Sequence, residues 1–176
     1  MNLRDILKSL MTKRVSQATT ILFIITIMAL SYFQGNNESD TRLESPDLSF
    51  IYSTDDLYKM AENYGQDGRI SYVQTRFTFD LIFPIVYGIF LVSNIGWMFY
   101  PTKYMGLVAI PIIGVVFDYL ENISTSLVMW RYPESTPIFD VAATFFTPLK
   151  WIALTLGFMV LIIGIMRKLY MRLSTH

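Results

Sequence analysis

The chain has no cysteine, and among its 176 residues histidine occurs only at position 176. Without thiols there is no disulfide, no thiolate nucleophile and no zinc-thiolate or iron-sulfur ligation. A single histidine leaves no pair for heme and no set for a zinc peptidase, and His176 stands apart from any Ser/His/Asp arrangement. Neither sign of charge dominates, with 14 basic and 14 acidic residues, and the basic residues form no nucleic-acid footprint. Gly65-Gln66-Asp67-Gly68 is too short for a phosphate-binding loop and lacks its lysine. Nothing in the composition names a cofactor.

What is abundant is apolar surface. Hydrophobic residues make up 53% and aromatics 15% of the chain, too apolar for an ordinary soluble domain of this size. Four stretches, at about 18–33, 77–100, 104–130 and 138–166, approach or exceed the ~20 apolar residues that cross ~30 Å of hydrocarbon. The expected fold is an all-α integral membrane protein, residues 1–176 forming one domain, a four-transmembrane-helix bundle with a 34–76 loop on one side. Ala29-Leu30-Ser31 also fits a small-x-small cleavage site, but the basic region ahead of the first run favours an uncleaved anchor.

Arg4, Lys8, Lys13 and Arg14 precede the first span, Lys103 lies between the second and third, and Arg167, Lys168 and Arg172 follow the fourth. The positive-inside rule then puts both termini in the cytoplasm and the long loop outside, with the chain in an inner or plasma membrane. Leu3, Ile6, Leu7, Leu10 and Met11 at helical spacing describe an amphipathic N-terminal helix or a frayed extension of the first span. Residues 35–47 read as a polar linker, with a glycosylation sequon at Asn37-Glu38-Ser39. Ser53-Thr54-Asp55-Asp56 is a capping-box start, Gly65 stops that helix, and a further one runs from about Arg69 straight into the second span. Pro84, Pro111 and Pro148 interrupt three spans and free carbonyls near mid-membrane.

Ionisable residues in such spans are costly unless paired or wet, and are the best pointer to function. Residues three and four apart share a helical face, so Arg69, Tyr72, Arg76, Asp80, Pro84 and Tyr87 form one stripe; Gly114, Asp118, Glu121 and Thr125, with Asn122 beside them, form another. Thr147 and Lys150 share a face on the fourth helix, with Asp140 at its outer end. At ~1.5 Å per residue Asp118 stands about 21 Å from Tyr104, and its side chain and that of Lys150 lean toward each other. One arrangement is a buried Lys150–Asp118 pair that sets register, with Asp80 on Arg76. Yet Asp80, Asp118, Glu121 and Asp140 outnumber Lys150 and Arg76. A surplus carboxylate in a semi-apolar pocket suits proton exchange, general acid catalysis or capture of a cationic ligand.

The candidate catalytic residues are therefore Asp118 and Glu121, and the candidate ligand-binding residues Asp80, Tyr87, Asn122, Asp140, Lys150 and Arg76. An Asp-x-x-Glu without histidine is a weak metal signal, and no metal ligand is assigned. The leading expectation is an outward-opening polar pocket for a lipid-like or small amphipathic ligand, with carboxylate acid/base chemistry as an added capacity. A non-catalytic assembly or accessory subunit, joined to itself or to a partner membrane protein, is the alternative. A small proton-coupled transporter comes third, since only four helices and no inverted repeat are present.

Gly65-x-x-Gly68-Arg69-x-x-Tyr72, Asp80-x-x-Phe83-Pro84-x-x-Tyr87-Gly88, Asp118-x-x-Glu121-Asn122 and Thr147-x-x-Lys150-Trp151 together resemble a pattern in small four-helix membrane proteins, over residues 65–151. That resemblance implies a fold and no activity. In layout the chain is also similar to the EXPERA group, the emopamil-binding sterol isomerases and sigma-2-type receptors, in which membrane-embedded acids face an amine or sterol cavity. Asp80 ahead of Phe83-Pro84 resembles the acid before the aromatic and proline run of their second helix. The first span here has no acid, and the histidine of the isomerases is missing, so the resemblance implies no reaction.

Overall fold

A computed structural model describes residues 8–36 and 45–174. Most of the expected N-terminal amphipathic helix, the linker and its sequon fall outside the described residues. Within them the chain is helical and contains no strand: α1 (Lys13–Asn36), α2 (Thr54–Asn63), α3 (Gly65–Arg76), α4 (Phe79–Phe99), a 3-10 helix (Lys103–Val108), α5 (Ala109–Arg131) and α6 (Pro137–Leu173). Four helical stretches are long and apolar enough to cross a membrane. They match the four expected spans to within a residue at the ends that fall short, and the second stretch, Gly65–Phe99, takes in α3 as well as α4.

Local chemistry sets most boundaries. Ser53 caps α2 reciprocally with Asp56: the Ser53 hydroxyl accepts from the Asp56 N–H at 3.2 Å, and the Asp56 carboxylate accepts from the Ser53 N–H at 3.1 Å. Gly65, at φ 61°, takes the left-handed conformation that lets the chain leave α2 and enter α3 without a Cβ penalty. The next helix thus starts at Gly65 itself, ahead of Arg69. It does not run straight into the second span, because the chain turns at Phe77 and Thr78. The Thr78 hydroxyl takes the Gln74 carbonyl at 2.8 Å, competing with the helical backbone for it.

Pro111 likewise departs from expectation. It lies in the first turn of α5, where a missing N–H costs nothing, and the preceding residues wind as the 3-10 helix. Pro84 and Pro148 do sit inside helices. Beside Pro84 the Leu81 carbonyl accepts a 2.7 Å bond from the Tyr119 hydroxyl of α5, which ties the two helices together at that level.

α5 and α6 pack along most of their shared length, with Gly114 allowing close approach: a Cβ there would stand 3.4 Å from that of Ala153. α1 packs on α4 through a polar clasp. The Ser16 hydroxyl donates to Asn94 Oδ1 at 2.7 Å, Thr19 and Ser93 share a 2.6 Å bond, and the Asn94 amide donates to Thr20 at 3.2 Å. The apolar core falls into two clusters. One, around Leu91, Ile95 and Phe99, joins α4 to its neighbours, and the other, around Leu57, Ala61, Val128 and Met129, seats α2 on α5 and α6.

Candidate functional site

Between these clusters lies a polar layer where α3, α4, α5, α6 and the 45–52 segment meet. Arg76, at the last position of α3, is the first hub. Its guanidinium grips Asp80, one turn on across the Phe77–Thr78 bend, and reaches Asp47 at 2.5 Å, while lying 4.5 Å over the Tyr72 ring. Burial alone would raise the Asp47 carboxyl, but Arg76 beside it and the Ser45 hydroxyl hold it below the ordinary carboxylate range. Arg76 thereby ties residues 45–49 over the layer.

The second hub is Glu121, fully buried on α5. Lys150 of α6 forms an ion pair with its Oε2, and the Thr147 hydroxyl, one turn earlier on α6, donates to its Oε1 at 2.7 Å. Thr147 in turn shares a 2.9 Å bond with the Tyr52 hydroxyl. Lysine side chains lean toward the N-terminus of their helix, and along α6 that direction leads to the level of Thr147 and hence to Glu121. Lys150 is also 5.4 Å from the Trp151 ring centroid.

Among the described residues Asp118 has no cation within ion-pair distance. Its carboxylate accepts from the Tyr87 hydroxyl of α4 at 2.7 Å and from the Asn122 side-chain amide at 3.2 Å. It lines a cavity of about 280 Å³ with Asp47, Arg76, Asp80, Tyr87 and Lys150 on its polar side; Phe23, Phe83, Leu154 and Phe158 form apolar wall. Trp151 lines the same space, and its indole N–H has no hydrogen-bond partner among the described residues. The cavity therefore offers an acid held by neutral donors, an unused donor, and rings.

No family model matches the chain, and neither a curated protein nor a solved structure does.

Of the residues expected at a site, Arg76, Asp80, Tyr87, Asp118 and Lys150 line the cavity. Glu121 sits behind Lys150 and Asn122 behind Asp118, each one contact removed. Asp140 lies elsewhere: it accepts a 3.0 Å bond from Tyr58, which anchors α2 to the start of α6. Asp47, Tyr52 and the α1 residue Phe23 were not signalled by spacing. Asp47 and Tyr52 belong to an irregular segment with no periodicity, and Phe23 is one apolar residue among many in its span. The excess of acids over cations was legible, and with Asp47 in place of Asp140 it remains four against two.

Proposed function

We propose that this protein spans a membrane and binds a small amphipathic or lipid-like ligand in the cavity beside Asp118. The observation that carries the proposal is that Asp118 faces an aromatic-walled cavity with only neutral donors on its carboxylate. A buried carboxylate in that setting favours a cationic or hydrogen-bond-donating group. The acids Asp47, Asp80, Asp118 and Glu121 outnumber Arg76 and Lys150 by two, which leaves room for a further positive charge. At 280 Å³ the cavity is near the small end of ligand sites, which run from ~300 to 1,000 Å³. It suits a small amphiphile or the polar end of a lipid, with the apolar part on Phe23, Phe83, Leu154 and Phe158.

Binding is favoured over a two-carboxylate reaction because Glu121 meets the cavity only through Lys150. The bilayer orientation follows from lysine and arginine. Lys13 and Arg14 at the α1 start, Lys103 in the 3-10 helix and Arg167, Lys168 and Arg172 at the α6 end gather on one side, outnumbering the basic residues of the 34–76 segment, so both termini are cytoplasmic and that segment is extracytoplasmic. Assembly with a second copy or a partner membrane protein is the competing role, supported by the Lys150–Glu121 pair as a register device.

The test uses the full chain in lipid nanodiscs with an alkylamine and an alkyl carboxylate of equal medium chain length. The alkylamine should raise the melting temperature of the wild type and leave that of Asp118→Asn unchanged. A wild type that responds to neither compound, or equally in both proteins, would remove the proposal.

A further inference from the structure

Tyr52, Thr147 and Glu121 form a chain of hydrogen bonds with a single direction. Thr147 has one hydroxyl proton, with two acceptors: Glu121 Oε1 at 2.7 Å and the Ala143 carbonyl at 2.9 Å. A carboxylate paired with Lys150 can only accept, so the Thr147 proton serves Glu121 and the 2.9 Å contact with Tyr52 is donated by the tyrosine. Tyr52 keeps its proton at ordinary pH, since burial pushes its ionisation well above the usual phenol range. Tyr52, though buried, is also among the residues lining an open groove of about 390 Å³ with Ser45, Ser49, Asp56 and Met60. Asp56 in that groove is solvent-exposed and bound by Ser53, so it carries negative charge at the mouth of the path.

We infer that Tyr52 and Thr147 relay protons from this groove to Glu121, and that protonating Glu121 releases Lys150 into the ligand cavity. The relay balances without any redox partner. A hydronium ion in the groove gives its proton to the Tyr52 oxygen and leaves as water, as the tyrosine's own proton passes to Thr147 Oγ1 and the threonine proton passes to Glu121 Oε1. Each hydroxyl ends with one hydrogen, Glu121 becomes neutral, and rotation of the two hydroxyls resets the path. Glu121 is sealed from solvent, with 0% exposure, so protons reach it only through the groups bonded to it, Thr147 and Lys150. The groups that face it are Lys150 and Thr147 from α6, Tyr52 from the preceding segment, Tyr72 and Tyr87 from α3 and α4, and Asp118 on its own helix. Among the described residues Lys150 is the cation that forms an ion pair with it, and it also lines the cavity. A proton on Glu121 therefore adds one net positive charge beside Asp118 and weakens the hold on a cationic head.

This regulation rests on the ligand reading, but the relay can be tested without a ligand. Infrared spectroscopy after a pH jump follows the protonated carboxyl band of the full chain in nanodiscs, with Glu121→Gln identifying the Glu121 contribution. Tyr52→Phe retains the ring within its apolar cluster and removes only the hydroxyl; Thr147→Val keeps the shape. Both should slow Glu121 protonation by at least about tenfold, and Thr147→Ser should restore the wild-type rate. Folding is checked by melting temperature, and if Thr147→Val does not fold, Tyr52→Phe decides alone. A folded Tyr52→Phe that protonates Glu121 at the wild-type rate overturns the inference, as does a wild-type band that never titrates between about pH 4 and pH 9. Neither result bears on the alkylamine test, so the two proposals fail separately.

Discussion

Lys150 pairs with Glu121 and leaves Asp118, one turn away on the same helix, to the neutral donors Tyr87 and Asn122. The pair and the unpaired acid are adjacent, and this gives the cavity both an anchor and a free carboxylate. The expectation of a Lys150–Asp118 contact is replaced by a division of roles between two acids on one helical face.

The ion pair is the first place to perturb. Removing only the cation, as in Lys150→Met, strands a fully buried carboxylate and should destabilise the fold by roughly 3 to 5 kcal/mol. Replacing both members, Lys150→Met with Glu121→Leu, should recover most of that loss. Reversible unfolding in mixed micelles measures both, and a double variant as unstable as the single one would mean the pair is not what holds this layer.

Tyr87 donates across helices to a carboxylate that has few other partners. Tyr87→Phe keeps the ring beside Phe83, 5.6 Å away between centroids, and deletes one bond to Asp118. The loss should be about 1.5 to 3 kcal/mol, the range for hydrogen bonds to charged groups. An unchanged midpoint in the same unfolding assay would argue that Asp118 finds another donor.

Asp47 binds fewer protons near neutral-to-acid pH when folded than when unfolded, because Arg76 holds its carboxyl down. Such a group stabilises the fold above its unfolded pKa and loses that contribution as pH falls through the lower folded value. The melting-temperature gap between wild type and Asp47→Asn should be constant above about pH 5 and shrink below about pH 4. A gap that stays flat to about pH 2 would show that the Arg76 contact contributes nothing.

The clasp around Asn94 should hold α1 in place. Interhelical hydrogen bonds in membranes average ~0.6 kcal/mol and reach ~1.7 kcal/mol, so Asn94→Leu, which removes the partners of Ser16 and Thr20, should cost on the order of 1 to 3 kcal/mol. Proteolysis of α1 in detergent should accelerate. Equal protection in both proteins would place α1's attachment in its apolar contacts.

Topology is testable because the native chain has no thiol. Single cysteines at Lys59 and Ser174 should react with an impermeant maleimide from opposite sides of sealed vesicles. Labelling of both from one side would reverse the orientation of at least one span.

Helix-forming and helix-stopping features were readable from the chain because they are local. The four apolar runs, the Ser53–Asp56 box, the left-handed Gly65 and the Arg76–Asp80 spacing each depend on residues within a few positions of one another. Local chemistry also explains two departures that the sequence contained but did not announce: the Thr78 hydroxyl that ends α3, and the placement of Pro111 in a first turn instead of mid-helix. Periodicity likewise gave the polar stripes of α4, α5 and α6, and counting gave the surplus of acids. Which acid meets which cation was decided only by the tertiary structure. Partner choice across helices depends on their rotation and on the depth to which a long side chain reaches, and a lysine on α6 can serve either of two acids a turn apart on α5. Asp47 and Tyr52 had no periodic signal, since an irregular segment acquires its contacts only when the helices beneath it are assembled.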